Sequence, residues 1–155
     1  MGSRTRGFEI VKDEHRKHKD VNIILPKRAT KHSAGWDFYM PCDVVIPPKE
    51  TVVVWSDVKA YMQENEVLMI HIRSSLGIKK NLQIANITGV IDMDYYSNDS
   101  NDGNIAISLY NRGEDEVVLR REDKVCQGVF QPFLVADNDE PVSTVRTGGI
   151  GSSGK

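Results

Sequence analysis

Three polar clusters in this sequence carry side chains suited to holding a polyanion and activating a water molecule. Arg73-Ser74-Ser75, with Gly77 just beyond, sets a permanent cation beside two hydroxyls, a grouping that suits phosphate oxygens. Asp92 and Asp94 flank a single residue in an apolar surround. On a strand that alternation puts both carboxylates on one face, where each steers the proton affinity of the other. Arg146 leads into a segment of glycines and serines, a second cation followed by backbone N–H groups able to fold around an anion. Each cluster alone also has an ordinary reading: a strand end capped by hydroxyls, a pair of turn carboxylates, a linker.

The elements that must position these groups read as strands. Val21–Leu25, Asp43–Ile46, Thr51–Trp55, Val67–Ile72, Ile105–Tyr110, Glu116–Leu119 and Val125–Val135 are short β-branched runs, several with a period of two. Pro47-Pro48-Lys49-Glu50 and Asn111 to Asp115 interrupt them as turns do. Only Ser74 to Leu82 has room for a helical turn or two. The expected fold is all-β, a barrel or jelly roll. Two polar stretches stand apart from the core pattern. Tyr96 to Asn104 reads as a solvated hairpin tip, and Thr144 to Lys155 as a frayed tail.

A chain of 155 residues is the size of one domain. Its net charge of −2 gives no general attraction to nucleic acid, so any polyanion must be held locally. Cys42 and Cys126 lack metal-site spacing and read as free thiols in a reducing compartment. The first residues run into charge rather than an apolar stretch, and no apolar run is long enough to span a bilayer. The expectation is a cytoplasmic protein without nucleic-acid or membrane partners.

Five segments, in order, resemble the motifs of the trimeric dUTPase family. They are Ala34-Gly35-Trp36-Asp37-Phe38, Arg73 to Gly77, Gly89 to Tyr95 closed late by Gly103-Asn104-Ile105, Arg121 to Gln127, and Arg146 to Gly154. The resemblance runs from about Leu25 to the end of the chain. It implies a jelly-roll-like domain over residues 1–143 with a flexible lid over 144–155. It also implies a homotrimer whose active sites draw on all three subunits, the tail reaching over a neighbour. The implied reaction is magnesium-dependent hydrolysis of dUTP to dUMP and pyrophosphate, which limits uracil in DNA and supplies dUMP for dTMP synthesis.

Roles follow from the resemblance. Asp92 is the general base that deprotonates the water attacking the α-phosphorus. Tyr95 lies under the deoxyribose and leaves no room for a 2′-hydroxyl. Asn86 and the backbone from Thr88 to Ile91, Gly89 included, form the uracil pocket. An edge that hydrogen-bonds uracil leaves groups unpaired against cytosine. Ser74, Ser75 and Gln127 hold the phosphates, and Arg73 serves either the phosphates or the subunit interface. Asp37 reaches magnesium through water or holds the polar network of the site. Arg146, Gly151, Ser152 and Ser153 close over the β- and γ-phosphates when these supply the anions, and Ile150 covers the base.

Three features depart from the family. Ile150 stands where an aromatic ring usually covers the uracil, and Tyr96 is the candidate substitute. Seven residues, Tyr96 to Asp102, fill a gap that normally holds one. Glu122 occupies a frequent glycine position, with little consequence expected because Gln127 is kept. The nearest alternative is a dCTP deaminase-like enzyme of the same fold. That family's Thr-x-Glu-x-x-Asn pattern, aligned on Asn111, meets Ala106 and Ser108 here, so no carboxylate carries the proton. A second alternative is a nucleotide-responsive regulatory or interaction protein.

Overall fold

In the computed structural model, which describes residues 3–143, 145–146 and 148–154, the β-branched runs become strands joined by tight turns. The strands are β1 (Gly7–Ile10), β2 (Lys27–Arg28), β3 (Trp36–Tyr39), β4 (Val44–Ile46), β5 (Thr51–Trp55), β6 (Val58–Tyr61), β7 (Glu66–Ile72), β8 (Leu82–Ile84), β9 (Gly89–Ile91), β10 (Ala106–Asn111), β11 (Val117–Leu119) and β12 (Lys124–Pro132). One short helix, α1 (Ser74–Lys79), falls in the segment expected to hold one. Met1, Gly2, Thr144, Thr147 and Lys155 lie outside the described residues, so the expectations that fall on them have no structural counterpart here.

All pairings are antiparallel. The largest sheet has the order β2-β3-β12-β7-β9, a second has β5-β10-β8, and β1-β6 and β4-β11 form ribbons. The architecture is the all-β, jelly-roll type expected. Alternation is clean in β10, where Ile107 and Leu109 face the core and Ala106, Ser108 and Tyr110 face outward. Phe38, Ile46, Leu68, Leu82, Ile105, Leu109 and Val125 are almost wholly buried together. Each such side chain contributes about 1.5–3 kcal/mol through burial. The interior strand β7 is buried on both faces over Glu66–Leu68, and beyond that buried Ile70 lies between half-buried Met69 and His71.

Two sequence expectations fail on strands. Val21–Leu25 makes no ladder: Ile23 packs into the core, but the amides just upstream turn to the Asp57 carboxylate, and Pro26 ends the run without a donor. The last run stops at Pro132, leaving Phe133, Leu134 and Val135 exposed. Both cysteines are free, Cys126 buried and Cys42 half-buried. No described helix is long and apolar enough to cross a membrane.

The expected solvated tip at Tyr96–Asn104 is instead folded into the molecule. Asn98, Asp102 and Asn104 are 8%, 2% and 0% exposed. Their burial is possible because each finds partners. Asp102 Oδ2 accepts from Lys59 Nζ at 2.9 Å and from the Lys12 amide at 2.8 Å. Asn104 accepts from the Asp57 amide and donates to the Asp57 carboxylate and to the His15 carbonyl. Asp57 in turn accepts from the amides of Lys17 and His18. Gly103, at φ 88°, closes the loop where a Cβ would come within 2.9 Å of the Tyr95 carbonyl oxygen.

Candidate functional site

The edge strand β9 lies beside β7, Gly89 opposite Ile70 and Ile91 opposite Leu68. The hairpin leading into it turns sharply. Thr88 N–H donates to the Asn86 carbonyl at 2.8 Å, across Ile87 at φ 71°. A β-branched residue at that dihedral is strained, and such strain is characteristic of ligand clamps. The turn leaves Asn86 exposed at the rim of a cavity of about 560 Å³. Asn86, Gly89, Ile91, Asp92 and Tyr95 form one wall, and Arg146, Ile150, Gly151 and Ser153 lie across it. The volume suits a small-molecule ligand.

β9 stops at Ile91, and Asp92 leads into a 3-10 turn over Met93–Tyr95. The two carboxylates are therefore gathered by a turn, not by strand alternation as the spacing suggested. Arg146 Nη2 donates to Asp92 Oδ2 and Nε to Asp94 Oδ1, both at 2.7 Å. Nη1 reaches the Gly149 carbonyl and Ser152 Oγ at 3.3 and 3.4 Å, so the cation also staples its own segment. The guanidinium is buried while both carboxylates are about half exposed. Ion pairs to exposed carboxylates are worth about 1 kcal/mol or less. In the single chain the tail lies over that chain's own pocket, where this pair of carboxylates is within its reach.

Tyr95 is 6% exposed and its hydroxyl is fully engaged. It donates to the Asn104 carbonyl at 2.6 Å and accepts from Asn101 Nδ2 at 2.9 Å. Burial pushes the hydroxyl above its ordinary value, and the Asn101 bond and the Arg146 charge offset this only in part. The phenol stays neutral and its ring orientation is fixed.

A second polar cluster forms on the other side of the large sheet. Asp37 on β3 is 5% exposed and pairs with Arg73 Nε at 3.2 Å and Lys124 Nζ at 3.7 Å. Gln127 sits opposite Asp37 in the ladder. Gly35 makes room for it, since a Cβ there would fall 2.1 Å from Gln127 Oε1. Ser74 and Ser75 are exposed at the start of α1. Burial, and then the Asp37 charge, pushes the Cys126 thiol far up, so it is inert. The order β3-β12-β7-β9 separates Asp37 from Gly89 by three strand spacings, roughly 14 Å. One chain therefore brings Asn86, Gly89, Asp92, Tyr95 and Arg146 together, and does not bring Asp37, Arg73, Ser74, Ser75 or Gln127 into that cavity.

Tyr96 does not replace the missing lid aromatic. Its hydroxyl donates to Glu9, and its ring packs edge-on against Tyr61, facing the N-terminal strand. Besides Tyr95, the aromatic that lines the cavity is Trp55, with Val53, Ala106 and Ser108 beside it. Strand alternation puts Val53 and Trp55 on one face of β5, and that face is open, with Val53 52% exposed.

A family model described as dUTPase matches residues 21–154. A Lactococcus lactis deoxyuridine 5′-triphosphate nucleotidohydrolase is 46% identical over 150 residues, spanning 96% of this chain and 97% of its own. The crystal structure of dUTPase from Streptococcus mutans superposes with a TM-score of 0.74 at 43% identity, covering 84% of this chain and 98% of that one. The dUTPase of Staphylococcus bacteriophage 80alpha, with dUpNHpp, gives a TM-score of 0.70 at 20% identity over 91% of this chain and 90% of that one, a likeness of fold.

Proposed function

The chain belongs to the dUTPase family and hydrolyses dUTP to dUMP and pyrophosphate, and we propose that Asp92 activates the attacking water for in-line displacement at the α-phosphorus. The observation that carries this reading is the single cavity joining Asn86, Gly89 and Ile91, Asp92, Tyr95 and the tail. Uracil sits against the β9 hairpin, whose backbone and Asn86 amide match its edge. The deoxyribose lies on the neutral, immobile Tyr95 ring, which excludes a 2′-hydroxyl. Arg146 gives up Asp92 and Asp94 for the β- and γ-phosphates, freeing Asp92 to orient water, while Ile150, Gly151, Ser152 and Ser153 close over the nucleotide. Residues 1–143 are the catalytic domain and 144–155 the lid. The enzyme works in the cytoplasm, with no nucleic-acid or membrane partner.

Ser74, Ser75 and Gln127, with Arg73, hold the phosphates from a neighbouring subunit of a homotrimer. Their separation from the cavity on one chain supports this, because a complete site then needs two copies. Magnesium fits as an ion carried on the triphosphate. The described residues offer no cluster of three His, Cys, Asp or Glu ligands, and the remaining donors are phosphate oxygen and water, with Asp37 reaching the ion through water. Bound there, it supplies charge neutralisation and bends the triphosphate. Deamination finds no support, since Ala106 and Ser108 bring no carboxylate to the cavity wall.

The test is pyrophosphate release with magnesium from dUTP, dCTP, dTTP and UTP offered separately. Release is expected from dUTP alone, and Asp92→Asn is expected to lower kcat by about 10²–10⁴-fold. Ammonia from dCTP would overturn the reading. Mixing inactive Asp92→Asn and Gln127→Ala chains should restore part of the activity, because some sites then draw both intact groups from different subunits. No recovery after subunit exchange would refute the shared site.

A further inference from the structure

Asn101 stands at a junction between the sugar pocket and the lid. Its Oδ1 accepts from Asn98 Nδ2 at 2.7 Å and from the Gly103 amide at 3.0 Å. Those two bonds orient the amide, so that Nδ2 donates to the Tyr95 hydroxyl at 2.9 Å. Asn98 is itself buried and bonds the Tyr95 carbonyl, so the support is rigid. The other side of the same amide meets the tail. A Cβ on Gly149 would come within 2.9 Å of Asn101 Nδ2 and 3.4 Å of Ser100 Oγ. Gly149 is buried and its φ is not in the left-handed region, so its lack of a side chain serves close approach to Asn101. The Gly149 carbonyl also takes Arg146 Nη1. The backbone of the lid thus rests on the amide that holds the Tyr95 ring.

We propose that Asn101 is a positioning residue that fixes Tyr95 for rejection of ribonucleotides and provides the seat on which Gly149 closes the lid. This rests on the reading of Tyr95 as the sugar gate and of the tail as the lid. The added residues between Tyr95 and Gly103 then serve specificity in the same reaction.

The experiment compares kcat/KM for dUTP with that for UTP in the full-length protein. Asn101→Asp is nearly isosteric and keeps the oxygen that accepts from Asn98 and Gly103, but loses the donor to Tyr95. It is expected to lower the dUTP-to-UTP ratio about tenfold, the worth of one hydrogen bond, with a melting temperature close to wild type. Tyr95→Phe removes the same bond from the other end together with the bond to the Asn104 carbonyl, so it should lower the ratio at least as far; it also serves if Asn101→Asp folds poorly. Tyr95→Ala is the reference. If it leaves the ratio unchanged, the sugar-gate reading fails. If it collapses the ratio while folded Asn101→Asp and Tyr95→Phe do not, the Asn101 inference is overturned. For the seat, Gly149→Ala should raise KM for dUTP about tenfold in wild type but under about threefold in an Asn101→Ala background, where space has been made. An equal rise in both backgrounds overturns the seat.

Discussion

The Tyr96–Asn104 loop, rich in Ser, Asn and Asp, and the segment from Arg146 to Gly154, rich in Gly and Ser, are both short of apolar side chains, yet they are held differently. In the loop, Asn98, Asp102 and Asn104 are buried; Asn98 bonds its near neighbours Tyr95 and Asn101, while Asp102 and Asn104 are bonded to partners that arrive from residues 12, 15, 57 and 59. In the tail, one buried cation reaches two half-exposed carboxylates and two atoms of its own segment. Order in a polar segment is thus decided by whether its partners are dry. The Lys59–Asp102 pair cannot be exchanged for water, so the loop is frame. The carboxylates facing Arg146 can be exchanged for other anions, which is what the proposed lid requires.

Breaking that contrast should begin with its strongest member. Lys59→Met leaves Asp102 buried without its cation, and urea unfolding should show a loss of about 3–5 kcal/mol. A loss under about 1 kcal/mol would put the loop in the same class as the tail. Arg146→Ala should do the reverse, lowering kcat/KM for dUTP about a hundredfold, some 2.7 kcal/mol of barrier, while stability shifts by less than about 1 kcal/mol. A control outside both regions is Glu122, which sits at φ 72°, where a side chain is strained. Glu122→Gly should raise stability by up to about 1 kcal/mol, measured as an upward shift of the urea midpoint with activity retained.

The smallest effect is in acid. Burial alone would raise the Asp102 carboxyl, but the bonds from Lys59 and the Lys12 amide hold it below its ordinary 3.8. A value depressed in the folded state gives stability that is complete above the unfolded value and is lost as pH falls through the folded one. The advantage of wild type over Asp102→Asn should therefore be constant above about pH 5 and shrink below about pH 4, with unfolding midpoints as the readout. A constant gap down to about pH 3 would mean that the folded loop does not hold the Asp102 carboxyl below its unfolded value.

Legibility in the sequence followed the range of the interactions. Thr51–Trp55 and Ile105–Tyr110 were readable because alternation is a local property, and β5 and β10 match them within a residue. That Asp92, Tyr95 and Arg146 belong to one place was readable through the five ordered motifs, and the cavity gathers all three. The loop was not readable, because its partners lie 43 to 90 residues away and composition carries no trace of them. Trp55 was missed for a related reason: its role depends on β5 lying beside β10, opposite Ala106. Little consequence was expected of Glu122 because Gln127 is kept, and its positive φ shows only in the folded backbone.

The long reach of these bonds also bears on synthesis. A chain made from its N-terminus exposes the amides of Lys12, Lys17 and His18 early, yet the Asp102 carboxylate that binds Lys12 comes 90 residues later, and the ladder partner of β3 lies on β12. Strands so paired cannot settle as they leave the ribosome, because loop closure must precede the contacts that reward it. Folding of this chain is concentrated after translation of the last strand, so nascent chains halted before β12 should remain open to proteases.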